Sequence, residues 1–573
     1  MKTLAIIGFG PRGLYALENL LIDLSKSNRT VEIVVFEASE TLGAGHVWKE
    51  EQPDSNWINI TERALSGIEK RPKIKYGNII VKGFPSYHQW CNFSLQPSEN
   101  DTFPSRNKLG RYLNERYDSI EKSLGILNTF KIISVEVQSI DYNDNGKVIV
   151  RTNTESWVCD DVLLTIGHQP TELSEQMKTW KSYAKSKTNV SVFENPYPVS
   201  NLNVVKNTTD ITMGIRGFGL GMIDVMRYLV INNFGNFKVV DNATLKTVYY
   251  KVKKQHLTLI PFSLDGLPLV PKPLNEIIDN WYKPTNKELG FFKAEIEAVA
   301  QTEKEVHTID FLTKPMATIA SRIFLDLKEK AFAHKFSAIE LEAIVTNWLK
   351  NDDFQHELLQ DENIPIDKLI QTYIDMALGE IPVSLDFCIG QVWRHCQPTL
   401  YAAFSHAKSN SKTIKKVIDL DERSKRYSYG PPIESMQQVL ALVDANVLNL
   451  DFVNDPHIEL ESDGWLLTNA ENKIVRCSVM INSILDAPKL LEINTDLVKS
   501  LLQNDLIQPI HSELGIETSE DGYVITPNDQ PNVPIAVLGR LAKGSVIGVD
   551  AILECFGPRI EDWATAYVAK LED

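Results

Sequence analysis

The feature that most constrains this chain is an apolar run that ends in a glycine-rich turn close to its start. Leu4-Ala5-Ile6-Ile7 leads into Gly8-Phe9-Gly10-Pro11-Arg12-Gly13, and a second apolar run, Val31 to Phe36, ends at Glu37. This order predicts a strand, a glycine turn, a helix, a second strand and an acid, which is typical of a dinucleotide-binding βαβ unit. The alternative is a βαβ unit whose glycines serve only packing.

Each residue of this turn has an expected part in holding a dinucleotide. Gly8 permits the tight turn, Gly10 lets the backbone approach a pyrophosphate, and Gly13 lets the helix pack close to the strand. The helix begins near Pro11 and Arg12, so its first N–H groups and positive dipole end face the phosphates. Glu37 accepts hydrogen bonds from the adenosine ribose hydroxyls in this scheme.

Length and charge narrow the class of protein. With 573 residues the chain is too long for one core, and its 43% hydrophobic and 23% charged residues are ordinary for globular domains. The formal net charge is −16, and no stripe of lysine and arginine offsets it. Binding to nucleic acid or to an anionic membrane is therefore not expected.

The cysteines and the apolar runs exclude other classes. None of the six cysteines forms a CxxC pair, so a disulfide framework, a zinc site and a dithiol redox centre all lack support, and no metal is expected. No apolar stretch reaches the roughly 18 residues of a membrane span. Glycines and a proline interrupt the first apolar run, which argues against a signal peptide. A cytoplasmic location is expected.

The pattern after the first βαβ unit continues as alternating sheet and helix. Spacing of apolar residues predicts a helix over Arg106 to Leu124. Two alternating runs, Ile132 to Tyr142 and Lys147 to Thr152, flank the hairpin signal Asn143-Asp144-Asn145-Gly146. Val162 to His168 is then predicted as a buried strand that ends in a glycine.

A second strand–glycine–helix element follows. Ile211 to Ile215 leads into Gly217-Phe218-Gly219-Leu220-Gly221, with a helix predicted to about Asn232. Residues 271–450 then show long helical patterns and few turn signals. Strands return near Ile458, and a late strand, Val533 to Leu538, meets Gly539 and Arg540.

The order of these pieces resembles the two-dinucleotide-binding-domain flavoproteins, in which the end of the chain completes a split FAD domain. More narrowly, it is similar to a family of FAD/NAD(P)-binding proteins that includes urate hydroxylases and nitrosuccinate-forming amino-acid N-monooxygenases. The motifs that carry the resemblance are Gly8-Phe9-Gly10-Pro11-Arg12-Gly13, Phe103-Pro104-Ser105-Arg106 with Gly110-Arg111-Tyr112-Leu113, Gly217-Phe218-Gly219-Leu220, and Arg426-Tyr427-Ser428-Tyr429-Gly430-Pro431-Pro432.

The resemblance implies an α/β fold with two Rossmann-like dinucleotide-binding domains and an inserted, mainly helical domain. The expected divisions are residues 1–200 for the first part of a discontinuous FAD-binding domain and 201–270 for an NAD(P)-binding domain. Residues 271–455 are expected to form the helical insertion, and residues 456–573 are expected to complete the FAD-binding domain.

The resemblance also implies an activity. The expected cofactors are FAD and either NADPH or NADH, and the expected partners are a small-molecule substrate and O₂, with a homo-oligomer left open. The implied reaction is hydroxylation of a small amine or amino acid at nitrogen through a flavin C4a-hydroperoxide. Two alternatives stay open: a flavin NAD(P)H dehydrogenase or reductase without oxygen transfer, and a non-catalytic FAD-binding regulatory protein. No catalytic residue is identified.

Further site residues come from the loops. Gly43, Gly45, Asn59, Arg106, Thr165, Gly167 and Gly539 are expected near FAD, and Gly217, Gly219 and Gly221 near NAD(P). The alternatives are an ordinary turn for Gly43 and Gly45 and surface hydrogen bonding for Asn59 and Arg106. Arg394 suits a substrate carboxylate, with a salt bridge on a helix face as the alternative.

Two positions depart from the superfamily pattern. Gly539-Arg540 stands where many relatives have Gly-Asp, and Ser263-Leu264-Asp265 stands where relatives often carry Ser-Arg. An acid at the latter place suits a free ribose 2′-hydroxyl better than a 2′-phosphate. The choice between NADPH and NADH is therefore open.

Overall fold

The structure is a computed structural model that describes residues 1–203, 210–231, 234–252, 256–302, 306–527 and 533–571. Its helices are α1 (Pro11–Ser27), α2 (Tyr87–Trp90), α3 (Arg106–Leu124), α4 (Glu175–Lys185), α5 (Leu220–Val230), α6 (Glu276–Asp279), α7 (Asn286–Ala300), α8 (Asp310–Leu327), α9 (Ala338–Lys350), α10 (Ile366–Leu378), α11 (Leu385–Phe404), α12 (Ser411–Ser428), α13 (Ile433–Asp444), α14 (Asp496–Gln503) and α15 (Pro558–Lys570).

The strands lie mostly on either side of the helical stretch between α6 and α13. They are β1 (Thr3–Ile7), β2 (Glu32–Phe36), β3 (Ile74–Tyr76), β4 (Ile79–Val81), β5 (Phe130–Ile133), β6 (Ser139–Tyr142), β7 (Val148–Arg151), β8 (Ser156–Cys159), β9 (Asp161–Leu164), β10 (Ser191–Phe193), β11 (Ile211–Arg216), β12 (Gly235–Asp241), β13 (Lys246–Lys251), β14 (Leu257–Phe262), β15 (His457–Leu460), β16 (Trp465–Thr468), β17 (Ile474–Cys477), β18 (Val479–Asn482) and β19 (Ile535–Val537).

The first sheet is parallel and has the strand order β19-β9-β1-β2-β5. Its central strands are buried on both faces, which explains why β1 and β2 are near-continuous apolar runs. The last strand in the chain, β19, pairs with β9, and α15 packs on α1. The expectation that the end of the chain completes the first domain is therefore confirmed.

The run from Ile132 to Tyr142 is two strands rather than one. Its first residues belong to β5, which pairs with β2 in the first sheet, and its last residues form β6, which pairs with β7. The chain separates from the sheet between them, because the two halves hydrogen-bond to different partners. β6, β7 and β8 form the expected antiparallel meander, with Gly146 in the left-handed region at φ 71° in the predicted hairpin turn.

The second sheet is also parallel, with the order β10-β18-β11-β14. Strand β18 comes from after the helical stretch, yet it lies between β10 and β11. This differs from the expected divisions at residues 200 and 456, since β10 and β18 fall outside 201–270. An apolar strand fits either sheet equally well, so its pattern alone does not reveal its neighbours. The helix α5 follows β11; Asn232, where its end was expected, lies outside the described residues.

The helical stretch from α6 to α13 confirms the expected insertion, although it shares its core with the second sheet. One continuous apolar cluster contains side chains of β11, of α5 and of the helical stretch, for example Ile215, Leu312 and Val392. The first sheet has separate clusters on its two faces. The insertion and the second sheet therefore pack as one body. In the described parts of the chain, no helix is both long and apolar enough to cross a bilayer.

Candidate functional site

The turn between β1 and α1 has the geometry that its glycines predict. Gly8 has φ +82°, and a Cβ there would lie 2.8 Å from Ile166 Cα and 2.9 Å from Thr165 O. A Cβ at Gly13 would lie 2.9 Å from the Gly8 carbonyl oxygen, so this glycine lets the helix approach the turn. Gly10 differs, because its nearest neighbour would be 3.7 Å away. The first and third glycines thus serve packing, and the second leaves space.

Gly10 lines a cavity of about 560 Å³ at the carboxyl ends of the first sheet's strands. Four glycine-bearing or polar segments meet there: residues 7–12, 44–48, 165–170 and 549–552. Of the expected FAD residues, those that line this first cavity are Gly8, Gly10, Pro11, Arg12, Glu37, Gly45, Thr165 and Gly167. A cavity of this size is large enough for most of a dinucleotide.

Glu37 is fixed at the base of the first cavity. Its Oε2 accepts the Phe9 N–H at 2.6 Å, and its Oε1 accepts the Ser39 N–H at 2.8 Å. The residue is only 8% exposed. The carboxylate therefore ties the end of β2 to the glycine turn and keeps its remaining lone pairs beside the cavity.

The segment after β9 forms the opposite wall. The Thr165 hydroxyl donates to the Gly8 carbonyl oxygen, and Gly167 has φ +67° with no atom within 4 Å of where a Cβ would be. His168 is exposed to the cavity, yet the surrounding protein desolvates its ring and lowers its pKa to about 4, helped by the charge of Arg540. The imidazole is therefore neutral at pH 7.

Behind the wall of the first cavity, one hydroxyl has no hydrogen-bond partner among the described residues. Thr495, just before α14, lines the cavity, and its buried Oγ1 is unpaired. Buried hydroxyls are normally paired. Because this oxygen is closed off from water, it does not face the cavity, and the fit to FAD rests on the open space at Gly167 and on the N–H groups at the start of α1.

The chain's late segment supplies the remaining wall. Gly539 has φ +105° and lies against the Arg12 side chain, where a Cβ would be 2.6 Å from Arg12 Cδ. It therefore supports Arg12 and does not itself line the first cavity. Arg540 and Asp550 do line it, and Arg540 donates to Asp550. The late segment thus brings a carboxylate, Asp550, to the cavity wall beside Arg540.

Three further residues that were expected near FAD also lie outside the first cavity. A Cβ at Gly43 would be 2.8 Å from Tyr117 Cβ, so Gly43 packs against α3. Arg106 donates to Asp224 Oδ2 in α5 at 2.6 Å, and Asn59 Nδ2 donates to the Tyr429 carbonyl oxygen at 3.1 Å. Their partners come from distant parts of the sequence. Arg106 and Asn59 therefore join the first domain to the second sheet and to the helical stretch, and neither lines the first cavity.

The second glycine turn repeats the geometry of the first. Gly217 has φ +116° and a Cβ there would be 2.5 Å from Ser483 Oγ, while a Cβ at Gly221 would be 2.4 Å from Ser483 O. Gly219 has no atom within 4 Å of its Cβ position. Because Ser483 follows β18, this turn is packed against the strand that returns late in the chain.

The turn lines a second cavity of about 1150 Å³ between the second sheet and the helical stretch. The other walls come from residues 263–269, 348–362, 422–429 and 483–485. Asp265 is exposed in this cavity, where its Oδ1 accepts the Ser263 hydroxyl at 3.0 Å. Arg426, Tyr427 and Tyr429, from one of the motifs noted in the sequence, also line it.

Arg394 lies outside both cavities. Its Nη2 donates to Asp279 and, at 3.0 Å, to Gln391 Oε1. His395 also contacts Asp279. The guanidinium is thus used within the helical stretch, as the salt-bridge alternative predicts, and the structure does not bring it to a substrate cavity.

Sequence reasoning missed two residues of the cavity walls, Lys425 and Asp550. Lys425 lines the second cavity, Asp550 lines the first, and the two are joined by an ion pair of 3.2 Å. The sequence contains only a faint signal for them: Lys425 directly precedes the Arg426 motif, and Asp550 follows Gly548 in a turn. No group of three or more His, Cys, Asp or Glu side chains suited to a metal occurs within the described ranges.

Known proteins resemble this chain in the same regions. A family model described as FAD-NAD(P)-binding matches residues 5–169. Nitrosuccinic acid synthase npaA of Aspergillus oryzae is 21% identical over 566 residues, covering 91% of this chain and 84% of that protein. Among solved structures, L-lysine 6-monooxygenase from Pseudomonas syringae is 12% identical and covers 99% of both chains with a TM-score of 0.46.

Ornithine hydroxylase (PvdA) from Pseudomonas aeruginosa is similar at 10% identity, covering 100% of this chain and 99% of that one with a TM-score of 0.45. The chain carries an FAD-NAD(P)-binding domain at residues 5–169, and the prediction of a flavoprotein oxidoreductase with two dinucleotide-binding sheets is confirmed.

Proposed function

We propose that the protein is an FAD-dependent, NAD(P)H-using monooxygenase that hydroxylates a small amine or amino acid at nitrogen. The observation that carries this proposal is the pair of glycine-turn cavities that meet at a shared wall. A sequence relative that aligns along 91% of the chain is named for a nitro acid, which supports oxidation at nitrogen. When bound, FAD supplies the redox chemistry and the reaction with O₂.

In this proposal the first cavity holds FAD. The N-terminus of α1 presents unpaired N–H groups to the pyrophosphate, and Gly10 lets it come close. Glu37 accepts the ribose hydroxyls with the lone pairs that Phe9 and Ser39 leave free. Gly167 leaves open space for the ring system, and Gly45 allows its segment to pack against Gly10, where a Cβ would be 3.1 Å from Gly10 Cα.

The nicotinamide nucleotide occupies the second cavity in the same way, at the turn from Gly217 to Gly221. The volume of about 1150 Å³ exceeds what a dinucleotide alone needs, so the same cavity also admits a small substrate. The aromatic side chains Trp348, Phe354 and Tyr427 line its helical side. They supply apolar surface that holds the carbon skeleton of an amine or amino acid.

Hydrogen bonds join the end of α11 to the last part of the chain. Arg559 Nη2 donates to the Tyr401 carbonyl oxygen and to Ser405 Oγ, both at 2.7 Å, and the His406 N–H donates to Ser545 O at 2.6 Å. These bonds seal α11 against the first domain.

The cysteines argue against a disulfide reductase. All six are free, and five are buried. Burial raises the pKa of the Cys159 and Cys477 thiols to about 12, so neither forms a thiolate near neutral pH. A dithiol centre needs an accessible, low-pKa thiol. The flavin reductase that remains as an alternative would pass electrons to another acceptor.

The test is anaerobic reduction of the FAD-loaded protein by NADPH and by NADH, followed by oxygen with a panel of amines and amino acids. We expect one nucleotide to bleach the flavin absorbance, and one amine to stimulate oxygen uptake with an N-hydroxylated product in near-equal amount. Peroxide alone with every amine would indicate a reductase or oxidase. A flavin that neither nucleotide reduces would indicate a binding protein.

A matched pair of variants separates the two cavities. Gly219→Glu places a charged side chain in open space at the second turn, so it should retain FAD but lose reduction by NAD(P)H. Gly290→Glu is the control, because Gly290 lies on an exposed face of α7 with no atom within 4 Å of a Cβ. If Gly219→Glu is reduced as fast as the control, the second cavity is not the nucleotide site.

A further inference from the structure

The two cavities share a wall built from charged side chains. Arg540 and Asp550 line the first cavity, while Glu422 and Lys425 line the second. Asp550 accepts from Arg540 on one side and from Lys425 Nζ at 3.2 Å on the other. Lys425 Nζ also donates to Glu422 Oε1 at 2.7 Å. A continuous chain of alternating charges therefore runs from one cavity to the other, and the Lys425–Asp550 pair is the link that crosses the wall.

Both members of this link carry their charge at neutral pH. Burial favours a higher pKa for Asp550, but the charges of Arg540, Lys425 and Lys543 outweigh burial and hold the pKa below its ordinary value. Burial favours a lower pKa for Lys425, but Asp550 and Glu422 outweigh it, and the pKa lies above its ordinary value. Removal of either charge still leaves the other one partner, Arg540 for Asp550 and Glu422 for Lys425, but it breaks the ion pair that crosses the wall.

Packing fixes both ends of the link. Lys425 lies in the last turn of α12, and its Nζ is 5.0 Å from the centroid of the Tyr429 ring. Asn59, in the first domain, donates a hydrogen bond to the Tyr429 carbonyl oxygen. On the other side, Gly548 lies so close to the Tyr401 ring that a Cβ would be 2.2 Å away. Lys425 is thus held in place, unlike a surface lysine that moves freely in water.

We propose that Lys425 is a positioning residue that couples the two cavities. It holds the Asp550 carboxylate in the wall, so that nucleotide binding in the second cavity changes the surroundings of the flavin in the first. The proposal rests on the proposed function. The step it serves is hydride transfer from NAD(P)H to oxidised FAD. This step oxidises the nicotinamide and reduces the flavin by two electrons, and solvent supplies the second proton. Such a transfer needs the reacting atoms about 3–3.5 Å apart, so the nicotinamide would have to reach the flavin beside the Lys425–Asp550 pair, and small shifts of that pair would be costly.

The test uses Lys425→Met in the FAD-loaded protein, which removes the charge and keeps the length of the side chain. Lys415→Met is the matched control. Lys415 is on the same helix and also pairs with two carboxylates, Asp419 at 2.6 Å and Glu513 at 3.3 Å, but it lines neither cavity. Lys425→Arg restores the charge. The measurements are the flavin absorbance change on adding NADP⁺ or NAD⁺, the nucleotide Kd, and the anaerobic reduction rate at saturating NAD(P)H.

We expect Lys425→Met to lower the saturated reduction rate at least tenfold, to change the nucleotide Kd less than threefold, and to lose the nucleotide-induced absorbance change. Lys415→Met should match the unmodified protein, and Lys425→Arg should recover at least half of the absorbance change. A purely structural role for Lys425 would lower thermal stability without this separation of rate from Kd. The proposal is overturned if Lys425→Met and Lys415→Met have equal reduction rates and equal nucleotide-induced absorbance changes. It is also overturned if the slow reduction of Lys425→Met disappears once the protein is fully loaded with FAD.

If Lys425→Met does not fold, Asp550→Asn removes the other charge with the same shape, and the same three measurements decide. A normal rate and absorbance change in that variant overturn the proposal. Failure of the proposed function is distinguishable. If the unmodified protein is reduced but forms no hydroxylated amine, monooxygenation is wrong while the coupling stands. If the nucleotide changes neither flavin absorbance nor redox state in the unmodified protein, the coupling is wrong.

Discussion

Replacing glycine with alanine should lower the stability of the fold at Gly8 and weaken FAD binding at Gly10. Gly8→Ala combines a left-handed residue, at φ +82°, with a Cβ placed 2.8 Å from the main chain at Ile166. The backbone conformation costs about 1–2 kcal/mol. The overlap adds about 1–3 kcal/mol, because main-chain atoms cannot move aside as a flexible side chain can. The total is about 2–5 kcal/mol of folding free energy.

Gly10→Ala should leave folding almost unchanged. Gly10 has φ −81°, which alanine adopts without strain, and the nearest atom to its Cβ would be 3.7 Å away. The methyl group would lie beside Gly45 in the cavity wall, where the pyrophosphate is proposed to bind. We expect the Kd for FAD to rise at least tenfold, which corresponds to about 1.4 kcal/mol.

The assay is thermal unfolding of the FAD-free protein by circular dichroism, together with FAD titration by fluorescence quenching. At about 2 °C per kcal/mol for a large domain, Gly8→Ala should lower Tm by about 4 °C or more, and Gly10→Ala by less than about 1 °C. Gly290→Ala on α7 is the control and should change neither quantity. The reasoning is refuted if Gly10→Ala lowers Tm as much as Gly8→Ala does, or if it binds FAD with unchanged Kd.

Three further outcomes are expected. Glu18→Ala leaves the buried guanidinium groups of Arg71 and Arg116 without their shared carboxylate, so the free energy of unfolding should fall by about 3–5 kcal/mol in chemical denaturation. Burial lowers the pKa of His406 to about 4 against about 6.5 unfolded, so the unfolded state binds more protons between these values. Stability should thus fall as pH falls from 6.5 to 4, less steeply in His406→Asn. Arg394→Met should lower Tm while leaving the Kd of FAD and of NAD(P)⁺ unchanged.

Each of these has an outcome that contradicts it. For Glu18→Ala it is an unfolding free energy within about 1 kcal/mol of the unmodified protein. For His406 it is an identical pH profile with and without the imidazole. For Arg394 it is a nucleotide Kd that rises tenfold while Tm stays constant, which would return this residue to a binding site.

The features that could be predicted from the sequence are those set by local geometry. Gly8, Gly13, Gly217 and Gly221 are required because the backbone at each turn leaves no room for a Cβ, and that requirement is visible as a motif. The helix α3 begins and ends at the residues that its apolar spacing predicts. Local constraints of this kind do not depend on the rest of the chain.

The features that escaped prediction depend on distant partners. Arg106 looked available for a cofactor, but Asp224, 118 positions later, accepts its hydrogen bond. Lys425 and Asp550 are 125 positions apart, and no pattern in either segment indicates their pairing. The choice of NADPH or NADH, the cytoplasmic location and a homo-oligomer stay predictions.

The late arrival of β18 and β19 has a consequence for synthesis on the ribosome. β18 fills the interior position between β10 and β11, and β19 covers β9, so neither sheet is complete until these strands have emerged. Until then, β9 and β11 present unpaired edges, which favour aggregation of the nascent chain. A chain that ends within the helical stretch therefore lacks an interior strand of the second sheet and the edge strand that covers β9 in the first.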